Sequence, residues 1–197
     1  MDKTEEFDAF TPRPEPSLTR SEKWDKIKKL WDECTELVKQ EGKEDEMIRC
    51  MDSIIQLNPK DAHAWINKGI ALGDLGKPEE AIGCYDKAIE LDPKDAWAWN
   101  NKGIALGNLG KYEEAIKCFG TAIELDPKHA GAWYNKGIAL LRLDRADEAL
   151  NIINKALEID KTKAHYWGTK GEILQKLGRD DEAEECFAKE NEIKKHD

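Results

Sequence analysis

Along most of the chain, apolar residues recur at intervals of three and four, the period of an α-helix with one buried face. Within residues 96–129, Trp99, Gly103 and Leu106 stand at i, i+4 and i+7, and Ala115, Phe119 and Ala122 repeat nearly the same spacing. Each stripe predicts one short helix. Between them, Leu109-Gly110-Lys111 supplies a stop, because glycine readily takes the left-handed conformation of a C-terminal cap. Asp126-Pro127 closes the second helix, since proline disfavours helical geometry in the residue before it. Gly103, Ala115 and Ala122 are small enough for the two helices to approach closely, with Trp99 and Phe119 filling the adjoining space.

This two-helix pattern recurs with a period of 34 residues. Segments 62–95 and 96–129 match at 25 of 34 positions without a gap, a third copy fills 130–163 and a more divergent one fills 164–197. Reading backwards, 28–61 keeps the phase, with Trp31, Gly42 and Asn58-Pro59 at the corresponding places. A unit of this kind leaves an apolar face bare, so stacking is what creates the core. Residues 28–197 are therefore read as one domain of five repeats. Residues 1–27 stand outside the period; Pro12, Pro14 and Pro16 predict an extended segment, followed by a helix capped near Ser21 that runs into the first unit.

Units 62–95 and 96–129 carry Trp, Gly, Ala, an aromatic residue, Ala and Pro at positions 4, 8, 20, 24, 27 and 32. This signature resembles the tetratricopeptide repeat family, and the phrase W-x-N-K-G-x-A-L is similar to its prokaryotic members. The resemblance implies an all-α, right-handed α-solenoid of antiparallel helix pairs, with a concave groove lined by the first helix of each pair. Departures gather at the ends, as capping repeats require. Unit 28–61 has Thr35, Met47 and Ile54 at three small positions, and Glu190 replaces the last small residue of unit 164–197. Glu190, with Asn191 and Glu192, is expected to face water. Asp144 in place of the turn glycine and Lys161 in place of proline are expected to loosen the joints around unit 130–163.

Charge and composition narrow the function. Charged residues make up 37% of the chain, and a mean hydropathy of -0.75 suits a thin stacked core. A net charge of -10 argues against nucleic acid as a partner, because phosphate binding draws on lysine and arginine. No apolar run approaches the ~18 residues of a membrane span, so no membrane partner is expected. The acidic start MDKTEEFDAF does not resemble a secretory leader; the expectation is a soluble cytoplasmic protein. Cys50, Cys84, Cys118 and Cys186 are spaced by 34, 34 and 68 residues, one structural slot reused rather than a metal site, with Cys34 out of phase. Free thiols pack well in such a slot. His63 and His165 share a repeat position three units apart, and no metal-binding His pair, phosphate loop or nucleophile elbow occurs. No enzyme activity, cofactor or metal is expected.

The resemblance implies ligand contacts at positions 2, 5, 6, 9, 12 and 13 of the first helices. Mapped onto this chain, they predict a peptide-binding strip of Ile66, Ile70, Trp97, Asn100, Ile104, Tyr134 and Ile138, flanked by His63. Leaving out position 6, these positions carry four cationic and four anionic side chains, a neutral strip on an acidic protein. Exposed apolar strips mark interaction sites. Position 6 is Asn67, Asn101 and Asn135 in successive units, resembling the asparagine ladder of some members; an amide side chain can pair with any peptide backbone. The family's carboxylate clamp for chaperone tails is not matched, since its lysines and arginine are missing. Lys68, Lys102, Lys136 and Lys170 at position 7 are expected to lay their stems over apolar surface away from the groove. Phe7 and Phe10 in the tail are candidates to dock in a groove. The reading is a non-catalytic scaffold for an extended, partly apolar peptide, the alternative being self-association through the tail or repeat faces.

Overall fold

The computed structural model describes residues 18–38 and 42–195, and every regular element among them is a helix. In chain order these are α1 Arg20–Val38, α2 Glu44–Leu57, α3 Ala62–Asp74, α4 Pro78–Leu91, α5 Ala96–Asn108, α6 Tyr112–Leu125, α7 Ala130–Arg142, α8 Ala146–Ile159, α9 Ala164–Lys176 and α10 Asp180–Lys194. The pairs keep the predicted 34-residue phase. The expected tail docking by Phe7 and Phe10 lies outside the described residues. The residue capping α1 is Thr19 rather than Ser21. The Thr19 hydroxyl accepts the Glu22 N–H at 3.3 Å, while the Glu22 carboxylate accepts the Thr19 N–H at 2.8 Å, a reciprocal capping box.

The four pairs from α3–α4 to α9–α10 each close through contact between a glycine and a large side chain. A Cβ on Gly69 would lie 2.6 Å from the Tyr85 ring, and one on Gly103 would lie 2.6 Å from Phe119. Gly137 meets Ile153 and Gly171 meets Phe187 in the same way. The position-4 tryptophans do more than fill space. The indole N–H of Trp65, Trp99, Trp133 and Trp167 donates to the carbonyl six residues earlier, at 2.9–3.1 Å, tying each first helix to the turn that delivers it. Lys161 offers its carbonyl as the prolines do, so this tie survives at the joint where loosening was expected. Asp144 likewise adopts the left-handed φ of 62° that the turn demands, beside 71°, 73° and 70° at Gly76, Gly110 and Gly178.

Consecutive helices pack together along the whole stack, and α3 touches α5, α5 touches α7 and α7 touches α9. Among the described residues, the backbones of the second helices do not approach one another in this way. Curvature of the stack explains the asymmetry: the first helices crowd the inner wall and the second helices fan apart outside. Two end-repeat expectations need correction. Glu190 does not face water. Its carboxylate lies against Gly168, 2.7 Å from where a Cβ would stand, is 19% exposed and pairs with Lys194. Cys50, expected as a free thiol in the repeated slot, is joined to Cys34 across α1 and α2, with the Cα atoms 6.1 Å apart.

Candidate functional site

The inner wall carries three hollows along its length. The first lies between α1, α2 and α3, is about 190 Å³ and is bounded by Leu37, Met47, Asn67, Ile70 and Asp74. The second, about 240 Å³, lies between α3 and α5 and is bounded by His63, Ile66, Asn67, Ile70, Trp97 and Asn101. The third, about 350 Å³, opens between α5 and α7 and reaches down to Tyr112 and Phe119 of α6. Gly103, Gly107, Asn135, Ile138 and Arg142 also line it. Gly107 lies beside open space, which leaves a ligand backbone room at this level.

The predicted strip divides into three kinds of residue. Trp97 is 62% exposed, while Ile70 and Ile104 are each 39% exposed, so these apolar groups meet solvent on the inner wall. Ile138 and Asn101 are half-buried beside them. Ile66 and Asn100 are buried, and Ile66 belongs to the core packed around Tyr85. Tyr134 is turned inward: its ring stacks on Tyr166 at 4.6 Å and its hydroxyl lies 3.2 Å from that of buried Thr169. His165 closes the cluster edge-on at 5.0 Å, its pKa held below the ordinary value by burial and by Lys163. This cluster covers the inner wall between α7 and α9.

The asparagines do not form an even row of free amides. The Asn67 side-chain NH₂ donates to the His63 carbonyl of its own helix at 2.9 Å. That of Asn135 donates to Asn100 Oδ1 at 3.1 Å. Each of these bonds uses one of the two amide N–H groups, leaving each side chain one N–H and its carbonyl oxygen. His129 takes the N-cap position that Asp61 and Asp95 hold in the preceding units, its Nδ1 accepting the Ala132 N–H at 3.2 Å. This fixes the proton on Nε2, which is enclosed without a partner, while the ring lies 4.7 Å from Trp97.

Models of the tetratricopeptide repeat match residues 62–95, 96–129, 118–151 and 164–196. The chain belongs to the tetratricopeptide repeat family. Its fold is similar to MamA from Desulfovibrio magneticus RS-1, with a TM-score of 0.76 at 23% identity over 87% of this chain and 97% of that one. It is also similar to Pseudomonas aeruginosa PilF, with a TM-score of 0.79 at 18% identity over 87% and 78% of the two chains. A third similar structure is YrrB, a TPR protein with an unusual peptide-binding site; the TM-score is 0.63 at 29% identity over 73% and 74%. No curated protein matches the sequence.

On the outer side of this tetratricopeptide repeat protein, the position-7 lysines behave as their register predicts. Lys68 pairs with Asp52 and Lys102 with Asp86, each at 2.5 Å, and both ammonium groups lie within 6 Å of a tryptophan ring centroid. The aspartates come from the preceding unit. Gly120 and Asn154 stand at the corresponding places in front of Lys136 and Lys170. The free thiols Cys84, Cys118 and Cys186 sit at position 23 near these lysines, and burial pushes their pKa values up. Position 7 of the first unit is Cys34, facing the position-23 Cys50. That correspondence was available in the sequence: the residue out of phase with the other cysteines is in phase with the lysines that face them.

Proposed function

We propose that the chain is a non-catalytic protein-interaction scaffold that seats an extended, partly apolar peptide segment on its inner wall. The observation that carries this reading is Trp97, 62% exposed and bordered by Ile70 and Asn101 around a hollow on the wall where the first helices meet. Apolar groups of this size stabilise a complex by about 1.5–3 kcal/mol each when fully covered. Amide hydrogen bonds contribute about 1 kcal/mol net apiece. The isoleucines and Trp97 therefore supply affinity, and the amides of Asn67, Asn101 and Asn135 set register. Asn100 and Ile66 support the wall from beneath rather than touching the ligand, and Tyr134 marks the end of the open region.

The test is selection of a displayed random-peptide library on the full chain, repeated with Trp97→Ala. Because Trp97 is mostly exposed, that change should leave thermal unfolding nearly unmoved while cutting peptide affinity at least tenfold. Equal enrichment by both proteins would overturn inner-wall recognition. A second reading is self-association, favoured by Trp24, which is 68% exposed on α1 ahead of the first repeat. Sedimentation over a range of concentrations separates the two, since only self-association makes mass grow with concentration.

A further inference from the structure

The first and third hollows occupy the same repeat register, two units apart. Asn67, Ile70, Ala71 and Asp74 line one; Asn135, Ile138, Ala139 and Arg142 line the other at the equivalent positions. Three of the four pairs are identical residues, and the fourth reverses charge. Between them, the equivalent position is the neutral Asn108. Several other charges near the wall are neutralised within the fold: Lys29 pairs with Glu33, Lys43 with Glu46 and Lys176 with Asp144. Asp74 and Arg142 enter no ion pair among the described residues, and both are exposed.

We infer that the ligand is a dipolar peptide segment. It carries a basic side chain facing Asp74, an apolar side chain against Ile70 and Trp97, and an acidic side chain facing Arg142. This inference rests on the proposed inner-wall binding and adds the chemistry and direction of the partner. Direction has to come from somewhere other than the asparagines, because Asn67, Asn101 and Asn135 put the same amide at the same repeat position and so do not tell one end of the groove from the other. Opposite charges at two equivalent hollows distinguish one end of the groove from the other. Reversing the peptide would place like charges together at both.

The experiment compares the unmodified full chain with the charge-exchanged variant Asp74→Lys/Arg142→Asp, using one displayed library of random twelve-residue peptides at low ionic strength. Both substituted residues are exposed, so circular dichroism should show both proteins folded. The expected result is enrichment of peptides with a base and an acid on opposite sides of an apolar residue. The variant should enrich the opposite order, with affinity changing about fivefold per reversed charge and less at high salt. Apolar peptides without charge order, or the same peptides with both proteins, would overturn the dipolar ligand while leaving inner-wall binding intact. If Trp97→Ala fails to abolish enrichment, or nothing enriches at all, the inner-wall reading falls as well.

Discussion

Opening the Cys34–Cys50 bond is the perturbation whose consequences the structure specifies most closely. The bond spans 16 residues of sequence and links α1 to α2. In the chain-entropy model, closing a loop of that length in the unfolded chain stabilises the folded state by about 3 kcal/mol. The effect should be local, because α2 is the one described helix that α1 packs against. The core anchoring α1 includes buried Ile27 and Cys34, with Leu30, Trp31 and Leu37 only partly covered. Reduction, or Cys34→Ser/Cys50→Ser, should therefore raise amide exchange in α1 and α2 before it affects α5–α8. It should also lower the urea midpoint by the amount corresponding to about 3 kcal/mol or less. Thiol titration in denaturant should count three reactive cysteines without reductant and five with it. Five without reductant would refute the bond; unchanged exchange in α1 on reduction would refute its structural role. The same titration on protein taken directly from cells tests the cytoplasmic expectation, since a reducing compartment keeps such thiols apart.

Gly103→Ala places a methyl group within 2.6 Å of Phe119 and should destabilise by about 1–3 kcal/mol, read as a lower urea midpoint. Asp144→Gly relieves a left-handed non-glycine residue and should stabilise by about 1 kcal/mol; its exposed pair with Lys176 is too weak to reverse the sign, and thermal unfolding measures the result. His129→Asp restores the cap used by Asp61 and Asp95 and removes an enclosed unpaired donor, so the melting temperature should rise. Tyr85 and Tyr166 have pKa values raised first by burial, so folding favours their protonated forms. That stability is present below the ordinary tyrosine pKa and is lost as pH rises through the folded values. Absorbance at about 295 nm should show these two phenols ionising together with loss of helical circular dichroism, and ionisation with helicity intact would contradict the packing.

The helix pairs, their turns and the order of the stack were legible in the sequence because they depend on local rules that recur from unit to unit. A glycine facing a large residue at fixed spacing, a turn needing positive φ and an apolar stripe of helical period each act within one 34-residue unit. Even departures obeyed the frame: Asp144 took the glycine conformation, and Lys161 still received the Trp167 indole bond, because only a backbone carbonyl is needed there. The wall's apolar residues were also legible in part, with Ile70, Trp97 and Ile104 standing exposed as their positions implied.

Tertiary structure decided what the repeat frame averages away. Asn67, Asn101 and Asn135 share one position, yet only the folded neighbours determine that Asn67 bonds within its helix and Asn135 bonds to Asn100. Tyr134 stands where the resemblance implied a ligand contact, but Tyr166 and Thr169 from the next unit engage it. Glu190 settled against Gly168 instead of facing water. The physical reason is common to these cases. Backbone geometry within a unit is governed by short-range sterics and hydrogen bonds that recur with the sequence, whereas the fate of an inner-wall side chain depends on particular neighbours one unit away, where the repeats differ.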